Sequence, residues 1–469
     1  MFVGREKELL SLNKLYASDS FEFVVIYGRR RVGKTTLINA FLEDKKSIYF
    51  MGVESNEKQN LDNFSKSIMQ FCREDIPDVS FGSFQAALEY VFQLAENERL
   101  VLAIDEYPYV AKSSKSLAST VQMLIDMHKA TSKLMLVLCG SSMSYMEDQV
   151  LSYKSPLYGR RTAQMKVLPF EYRSVCRFFH NFDHEQLAYI YGIYGGTPQY
   201  LQQINEDVGI EDNIKNTYLN PMAMLFEEPE NLLKQEVREP TIYNAVISAI
   251  AGGATRMSKI SSKAGEPTNV CAHYLRNLIS LGIVQKEMPY GSAMDNKGIY
   301  LIADPMFRFW YRFIPENSSL IMRGATDVVY KRIEPYFNDY MGSVFEEISK
   351  QYLWEKMIAG ECPVLFSSIG RWWGNDPVNK RQEEIDIMAV QDKDAALFGE
   401  CKWTNEPVDK QVLETLERRS QLFSYKHTFL YLFAKNGFTK GCIASAKEKG
   451  NVFLVDYDDM MRWFTSDLK

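Results

Sequence analysis

FVVIYGRRRVGKTTLINAF, residues 23–41, decides how the rest of the chain is read. Val24 to Tyr27 is a continuous apolar run, which predicts a buried strand. It enters a loop bounded by Gly28 and Gly33, followed at once by Lys34, Thr35 and Thr36 and then by a helical segment. Glycine, four residues, glycine, lysine and threonine between a strand and a helix is the spacing of the Walker A phosphate-binding loop. Gly28 and Gly33 permit backbone angles and close approaches that a β-carbon would block. The N–H groups of Arg29, Arg30, Arg31 and Val32 can then turn inward toward an anion. Lys34 is placed to neutralise β- and γ-phosphates and the Thr35 hydroxyl to ligate Mg2+. The positive end of the helix that begins there, with Thr36 in its first turn, favours the same anion. A glycine-rich turn with a surface lysine is the alternative reading of these letters.

Composition bounds what surrounds this loop. A chain of 469 residues exceeds one hydrophobic core, so about two to four domains are expected. The net charge of −6 argues against wholesale charge-driven binding to nucleic acid while leaving room for a local basic surface. No uninterrupted apolar run approaches the roughly 18 residues of a membrane span, and the N-terminus lacks the order of a secretory signal, so a cytoplasmic protein without membrane contact is expected. The seven cysteines are scattered without the paired spacing of a zinc site and are expected to be reduced. His180 and His184 are spaced as one helical turn, but no third metal ligand accompanies them, and a solvated helix face accounts for them.

Three further stretches belong with the loop. FVGREKELLSLNKLY, residues 2–16, places Gly4 and Arg5 ahead of a helix with Leu9, Leu12 and Leu15 on one face. LVLAIDEYPYV, residues 100–110, is an apolar strand that delivers Asp105 and Glu106 to a sheet rim, as a Walker B strand does. Asp105 would hold the Mg2+ shell and Glu106 would orient or activate the attacking water. LMLVLCGSS, residues 134–142, is another buried strand ending in Ser141 and Ser142, or a simple turn. In SPLYGRRTAQMKVLPF, residues 155–170, Arg160 and Arg161 precede a strand. Either could meet phosphate charge in its own subunit or a neighbour, or form a solvated basic turn.

Downstream the pattern turns helical. GGTPQYL, residues 195–201, breaks one helix and restarts another. Residues 240–304 predict three helices and a two-stranded ribbon, the order of a winged helix; Asn269, His273, Arg276 and Asn277 would face DNA, unless the module serves only for packing. DPMFRFWYRFI, residues 304–314, is too aromatic for an exposed helix. A helix from Tyr340 to Trp354 carries Glu346. QEEIDIMAV and ALFGECKW then predict adjacent strands joined by a short turn, with Asp386 on the first and Glu400 and Lys402 on one face of the second. Asp386 and Glu400 could bind Mg2+, Lys402 activate water or stabilise charge on phosphorus, and Glu346 complete the metal shell. A plain salt bridge on a hairpin is the alternative.

Over nearly its full length the sequence resembles archaeal-type ATPases that join a STAND-like AAA+ module and a winged helix to a C-terminal domain of PD-(D/E)XK nuclease type. The resemblance rests on FVGRE, YGRRRVGKTT, LAIDEYP, SPLYGRR, GGTPQYL, YLRNLISLGIV, DPMFRFWYRFI, EEIDIMAV and GECKW. It implies an α/β fold: a parallel P-loop sheet over residues 1–170, a helical lid and linker over 171–236, a winged helix over 237–314 and a restriction-endonuclease-like domain over 315–469. It implies that Gly4 and Arg5 border the adenine, that Ser141 or Ser142 is a sensor between the Walker B acid and the γ-phosphate, and that Gly195, Gly196 and Pro198 lie near the base. ATP and Mg2+ are the implied cofactors. DNA or RNA, a second copy or another protein are the candidate partners. Two functions follow: a nucleotide-driven switch controlling a nuclease, or a regulatory ATPase whose C-terminal domain is a non-cleaving scaffold.

Overall fold

A computed structural model of the chain describes residues 3–72, 80–292, 297–377 and 379–466. Its contacts divide it into two units, one of Met1–Pro169 with Thr197–Gln199 and one of Phe170–Gly196 with Tyr200–Lys469. The lid, winged-helix and C-terminal segments expected from the sequence therefore fall within one unit, except that Thr197–Gln199 groups with the first.

In the first unit β1 (Glu22–Tyr27), β2 (Ser47–Met51), β3 (Leu100–Asp105), β4 (Leu134–Gly140) and β5 (Ala163–Lys166) form one sheet in the order β2-β3-β4-β1-β5. All four pairings are parallel. Every residue of β1, β3 and β4 is buried, which is why these strands read as unbroken apolar runs: helices cover both faces of a parallel sheet. Val24, Ile26, Val101, Ala103, Val137 and Cys139 share a core with Leu37 and Phe41 of the helix Lys34–Leu42. The carboxyl ends of β1, β3 and β4 lie at one rim, where an open parallel sheet presents its ligand site.

The second unit opens with helices Tyr172–Phe178 and His184–Tyr194. His180 lies between them and His184 begins the second, so the two histidines do not share a helical turn. The His184 ring instead approaches Asp458 at 2.8 Å. Helices Pro240–Ala251, Met257–Ala264 and Thr268–Ser280 precede an antiparallel ribbon of β6 (Val284–Glu287) and β7 (Ile299–Ile302). Part of the turn joining that ribbon, residues 293–296, lies outside the described residues. Six of the nine residues in helix Pro305–Phe313 are buried, and the Trp310 indole donates to the Phe226 carbonyl at 2.6 Å, as its aromatic content requires.

The last sheet comprises β8 (Ile369–Asp376), β9 (Arg381–Gln391), β10 (Ala395–Lys402), β11 (His427–Ala434) and β12 (Val452–Asp456), in the order β12-β11-β10-β9-β8. The β8-β9 and β9-β10 pairs are antiparallel, while β10-β11 and β11-β12 are parallel. Helix Phe337–Ile358 precedes the sheet, and helix Lys410–Ser420 makes the crossover that the parallel β10-β11 pair demands. No strand was expected at β8. Its two glycines, Gly370 and Gly374, and the irregularity between Gly370 and Trp372 interrupt the alternation by which strands are recognised.

Candidate nucleotide site and a second carboxylate cluster

The loop between β1 and helix Lys34–Leu42 has the backbone its letters require. Gly33 caps the helix at φ +88°, in the left-handed region. A β-carbon on Gly28 would lie 2.3 Å from the Val167 carbonyl oxygen, so glycine is needed for close approach rather than for its angle. The Lys34 ammonium is buried and donates to the Gly28 and Arg29 carbonyls at 2.8 and 2.9 Å, which holds it inside the loop's curve.

The neighbouring strand closes the site. The Thr35 hydroxyl donates to Asp105 Oδ2 at 2.7 Å, and Asp105 is 1% exposed. Tyr49 on β2 donates to the same oxygen at 3.0 Å; burial, then the Asp105 charge, pushes its phenol well above its ordinary value. A hydroxyl and a carboxylate side by side are hard oxygen donors of the kind Mg2+ selects. Beside curved N–H groups and a helix N-terminus, they fit a nucleoside triphosphate with its metal. Glu106, at φ +50°, is a non-glycine residue in a left-handed conformation. Its Oε2 accepts from the Ser141 hydroxyl at 2.8 Å, and its backbone N–H donates to Asp105 Oδ1 at 2.9 Å. Ser141 thus touches the second acid of the pair at the common rim.

Other residues picked out by sequence lie elsewhere. Arg5 is buried and donates to the Val32 and Leu168 carbonyls at 2.8 and 2.6 Å, besides pairing with Glu8 at 3.0 Å. It fastens the loop from behind instead of presenting its guanidinium to a base. Arg29 donates to the Thr197 hydroxyl at 2.7 Å and Arg30 to the Tyr109 hydroxyl at 2.7 Å. Arg31 adopts φ +73° within the loop. Arg160 pairs with Asp126 at 2.6 Å, and Arg161 donates to the Leu151 carbonyl at 3.2 Å. Because Val24 aligns with Ala163 in a parallel pair, both arginines enter at the amino end of the sheet, opposite the loop rim. That register fixes the backbone entry alone, and the Arg161 charge is felt by the Tyr27 phenol at the carboxyl end of β1.

The second cluster lies on β9 and β10. Their pairing ends at Ile387 opposite Gly399, so Asp386 and Glu400 come next to each other at its end. Asp386 Oδ2 accepts from the Cys401 N–H at 2.9 Å. Glu400 is buried, its Oε1 2.8 Å from Lys402 Nζ and its Oε2 3.0 Å from the Arg419 guanidinium. Glu346 pairs with Arg371 on β8 at 2.6 Å. Burial, then the Asp386 charge, raises the Glu346 carboxyl to about 7 and moves Glu400 in the same direction. Burial disfavours the Lys402 charge, yet Glu400 overcomes it and the ammonium is raised.

Behind Glu400, the buried Glu383 binds Arg381, Arg418 and Arg419 at 2.7, 2.7 and 2.8 Å. Arg371, Glu383 and Arg419 escaped the sequence reading. Arg371 lies on the unexpected strand, and Arg418 and Arg419 look like the solvated basic last turn of a helix. Among the described residues no group of three or more His, Cys, Asp or Glu could hold a metal ion. The donors that fit Mg2+ here are the paired Asp386 and Glu400; Glu346 feels the Asp386 charge and is ion-paired with Arg371, as Glu400 is with Lys402 and Arg419.

Residues 2–204 match a family described as an ATPase domain predominantly from Archaea. An uncharacterized protein of Methanocaldococcus jannaschii is 33% identical over 466 residues, 98% of this chain and 100% of that one. The chain belongs to the family of this protein, with an ATPase domain over residues 2–204. An uncharacterized ATP-binding protein of the same organism is 50% identical over 46 residues, 10% of this chain and 78% of that one. Residues 310–417 match a family described as archaeal and bacterial proteins of unknown function; the span includes Glu346, Asp386, Glu400 and Lys402. Among solved structures, the Walker-type ATPase of Pyrococcus abyssi aligns at TM-score 0.49 and 20% identity, covering 66% of this chain and 96% of that one. The Aeropyrum pernix ORC2 protein, solved in ADPNP and ADP complexes, aligns at 0.45 and 15%, covering 68% and 94%. The first unit is an α/β P-loop ATPase domain, and no helix among the described residues is long and apolar enough to cross a membrane.

Proposed function

We propose that the chain is an ATP-hydrolysing switch of AAA+/STAND type whose C-terminal module, of PD-(D/E)XK type, cleaves nucleic acid when the nucleotide state permits. The reading of the first site rests on the Thr35–Asp105 contact at 2.7 Å, which sets a metal-ligating hydroxyl beside a metal-ligating acid at the mouth of the loop. Thr35 and Asp105 would hold Mg2+, which when bound neutralises phosphate charge. Lys34 and the loop N–H groups bind the phosphates, and Glu106, steadied by Ser141, accepts a proton from the attacking water. Arg5, following Gly4, fastens the loop from behind through the Val32 carbonyl, while Arg29 to Val32 supply those N–H groups.

The observation that carries the nuclease reading is the grouping of Asp386, Glu400 and Lys402 on adjoining strands, with Lys402 2.8 Å from Glu400. Asp386 and Glu400 would hold Mg2+, which when bound supplies Lewis acidity at phosphorus. Lys402 stabilises the negative charge that develops there. The helices and ribbon of 237–314 serve as a winged helix that approaches DNA through Thr268–Ser280.

A second reading is favoured by the arginines: Arg371 and Arg419 already neutralise Glu346 and Glu400, as they would in a non-cleaving scaffold. Incubation of the full chain with Mg2+ or Mn2+ and supercoiled DNA, single-stranded DNA or RNA, with and without ATP, separates the two. The nuclease reading expects metal-dependent cleavage that Lys402→Ala lowers at least 100-fold. Intact substrates under every nucleotide condition would leave the scaffold.

A further inference from the structure

Outside both sites, the second unit contains a cavity of about 420 Å³, in the size range of small-ligand pockets. Its walls are aromatic. Phe337 stands between Tyr330, with ring centroids 6.0 Å apart at 87°, and Tyr189, at 6.3 Å and 47°. Tyr189 in turn meets the Trp403 ring edge-on at 6.2 Å.

Its polar lining is acidic: Asp183, Glu185 and Glu334 face one ammonium, that of Lys435. Most of these groups are committed. Lys435 Nζ is held by Glu185 at 2.6 Å and the Asn405 amide oxygen at 3.1 Å. Asp183 caps helix His184–Tyr194, and the Gln186 side chain completes that capping box. Glu334 and Asn338 line the cavity with no side-chain hydrogen bond or ion pair to any described residue. Both tyrosines feel the Glu334 charge: burial first, then nearby carboxylates including Glu334, raises the Tyr330 phenol to about 12 and Tyr189 in the same direction.

An uncommitted carboxylate among π-faces repels phosphates and carboxylates and attracts an organic cation. The chemistry of the lining narrows the choice. Tyrosine faces accept a flat cation by stacking, and a carboxylate accepts the parallel N–H groups of a planar fork, which a guanidinium has and an ammonium lacks. Tyr330 already takes part in a contact of this kind: Lys215, which does not line the cavity, sits 5.5 Å from its ring centroid. We infer that this cavity is a binding site for an alkylguanidinium, with Glu334 as its counter-ion and Tyr189 and Tyr330 as its walls. This goes beyond the ATPase and nuclease readings and depends on neither.

Calorimetric titration of the full chain with Nα-acetylarginine amide tests it, with the neutral isostere Nα-acetylcitrulline amide and free agmatine as parallel ligands. Saturable binding of the arginine derivative is expected, at least tenfold tighter than the citrulline derivative and weakened at least tenfold by Glu334→Gln. Glu334 is exposed, so that variant is expected to keep the wild-type melting temperature. Tyr330→Leu should weaken binding as well, which separates an aromatic cage from a diffuse acidic surface. Arginine amide binding more tightly than agmatine identifies a protein side chain as the source of the guanidinium, and agmatine binding more tightly identifies a free small cation. Equal affinity for the citrulline derivative, or an affinity untouched by Glu334→Gln, overturns the site itself.

Discussion

Single residues at the two sites are held in states that their intrinsic chemistry would not choose. Glu106 occupies a left-handed backbone conformation and its carboxylate is tied to Ser141; non-glycine strain of this kind costs on the order of 1 to 3 kcal/mol and concentrates where geometry matters. Glu346 is the clearest titrating case. Its folded value is raised to about 7, mainly by burial, so between its ordinary carboxylate value and 7 the folded chain keeps a proton that the unfolded chain releases. The unfolded state then binds fewer protons, and stability falls as pH rises through that window. Glu346→Gln mimics the protonated form. In chelator-treated protein its melting temperature should match the wild type near pH 5 and exceed it progressively toward pH 8, by a contribution on the order of 2 kcal/mol. Parallel melting curves across that range would remove the raised carboxyl from the account.

Secondary-structure elements differ in how plainly they wrote themselves into the sequence. β1, β3 and β4 were legible because strands buried on both faces are long apolar runs, and their ends carry Lys34, Asp105 and Ser141 to one rim. The β9-β10 hairpin was legible from alternation, which set Glu400 and Lys402 on one face. β8 was not, since its glycines and half-buried tryptophans follow no period. With β8 went Arg371, and with it the real partner of Glu346. Helix Lys410–Ser420 was read as a helix, but nothing in its letters distinguishes Arg419, aimed at two buried acids, from an exposed last-turn arginine. That helix is pinned by charge: removing the Arg419 guanidinium leaves Glu400 with Lys402 alone, while Glu383 retains Arg381 and Arg418. Arg419→Met should therefore destabilise the chain by roughly 2 kcal/mol, read as a shifted denaturation midpoint at unchanged slope. A change below about 0.5 kcal/mol would mean the pair contributes no more than a surface ion pair.

At the scale of the whole molecule, the register of β5 has a consequence for assembly. Arg160 and Arg161 enter β5 at the sheet end opposite their own phosphate loop, a placement that suits contact with the transferring phosphate of a neighbouring copy better than with their own. Light-scattering mass with ATP is then expected to exceed that without it, and Arg161→Ala to slow turnover with ATP affinity unchanged. A monomer in both states would confine these arginines to local packing, Arg160 against Asp126. The central claim is that residues 28–36 hold a triphosphate which Asp105 and Glu106 commit to hydrolysis. Phosphate release by the full chain, measured beside equilibrium ATP binding for Lys34→Ala and Glu106→Gln, tests it most directly. Turnover should be lost in both variants, with ATP affinity falling at least 100-fold in Lys34→Ala and staying near wild type in Glu106→Gln. Tight ATP binding by Lys34→Ala, or wild-type turnover by Glu106→Gln, would contradict it.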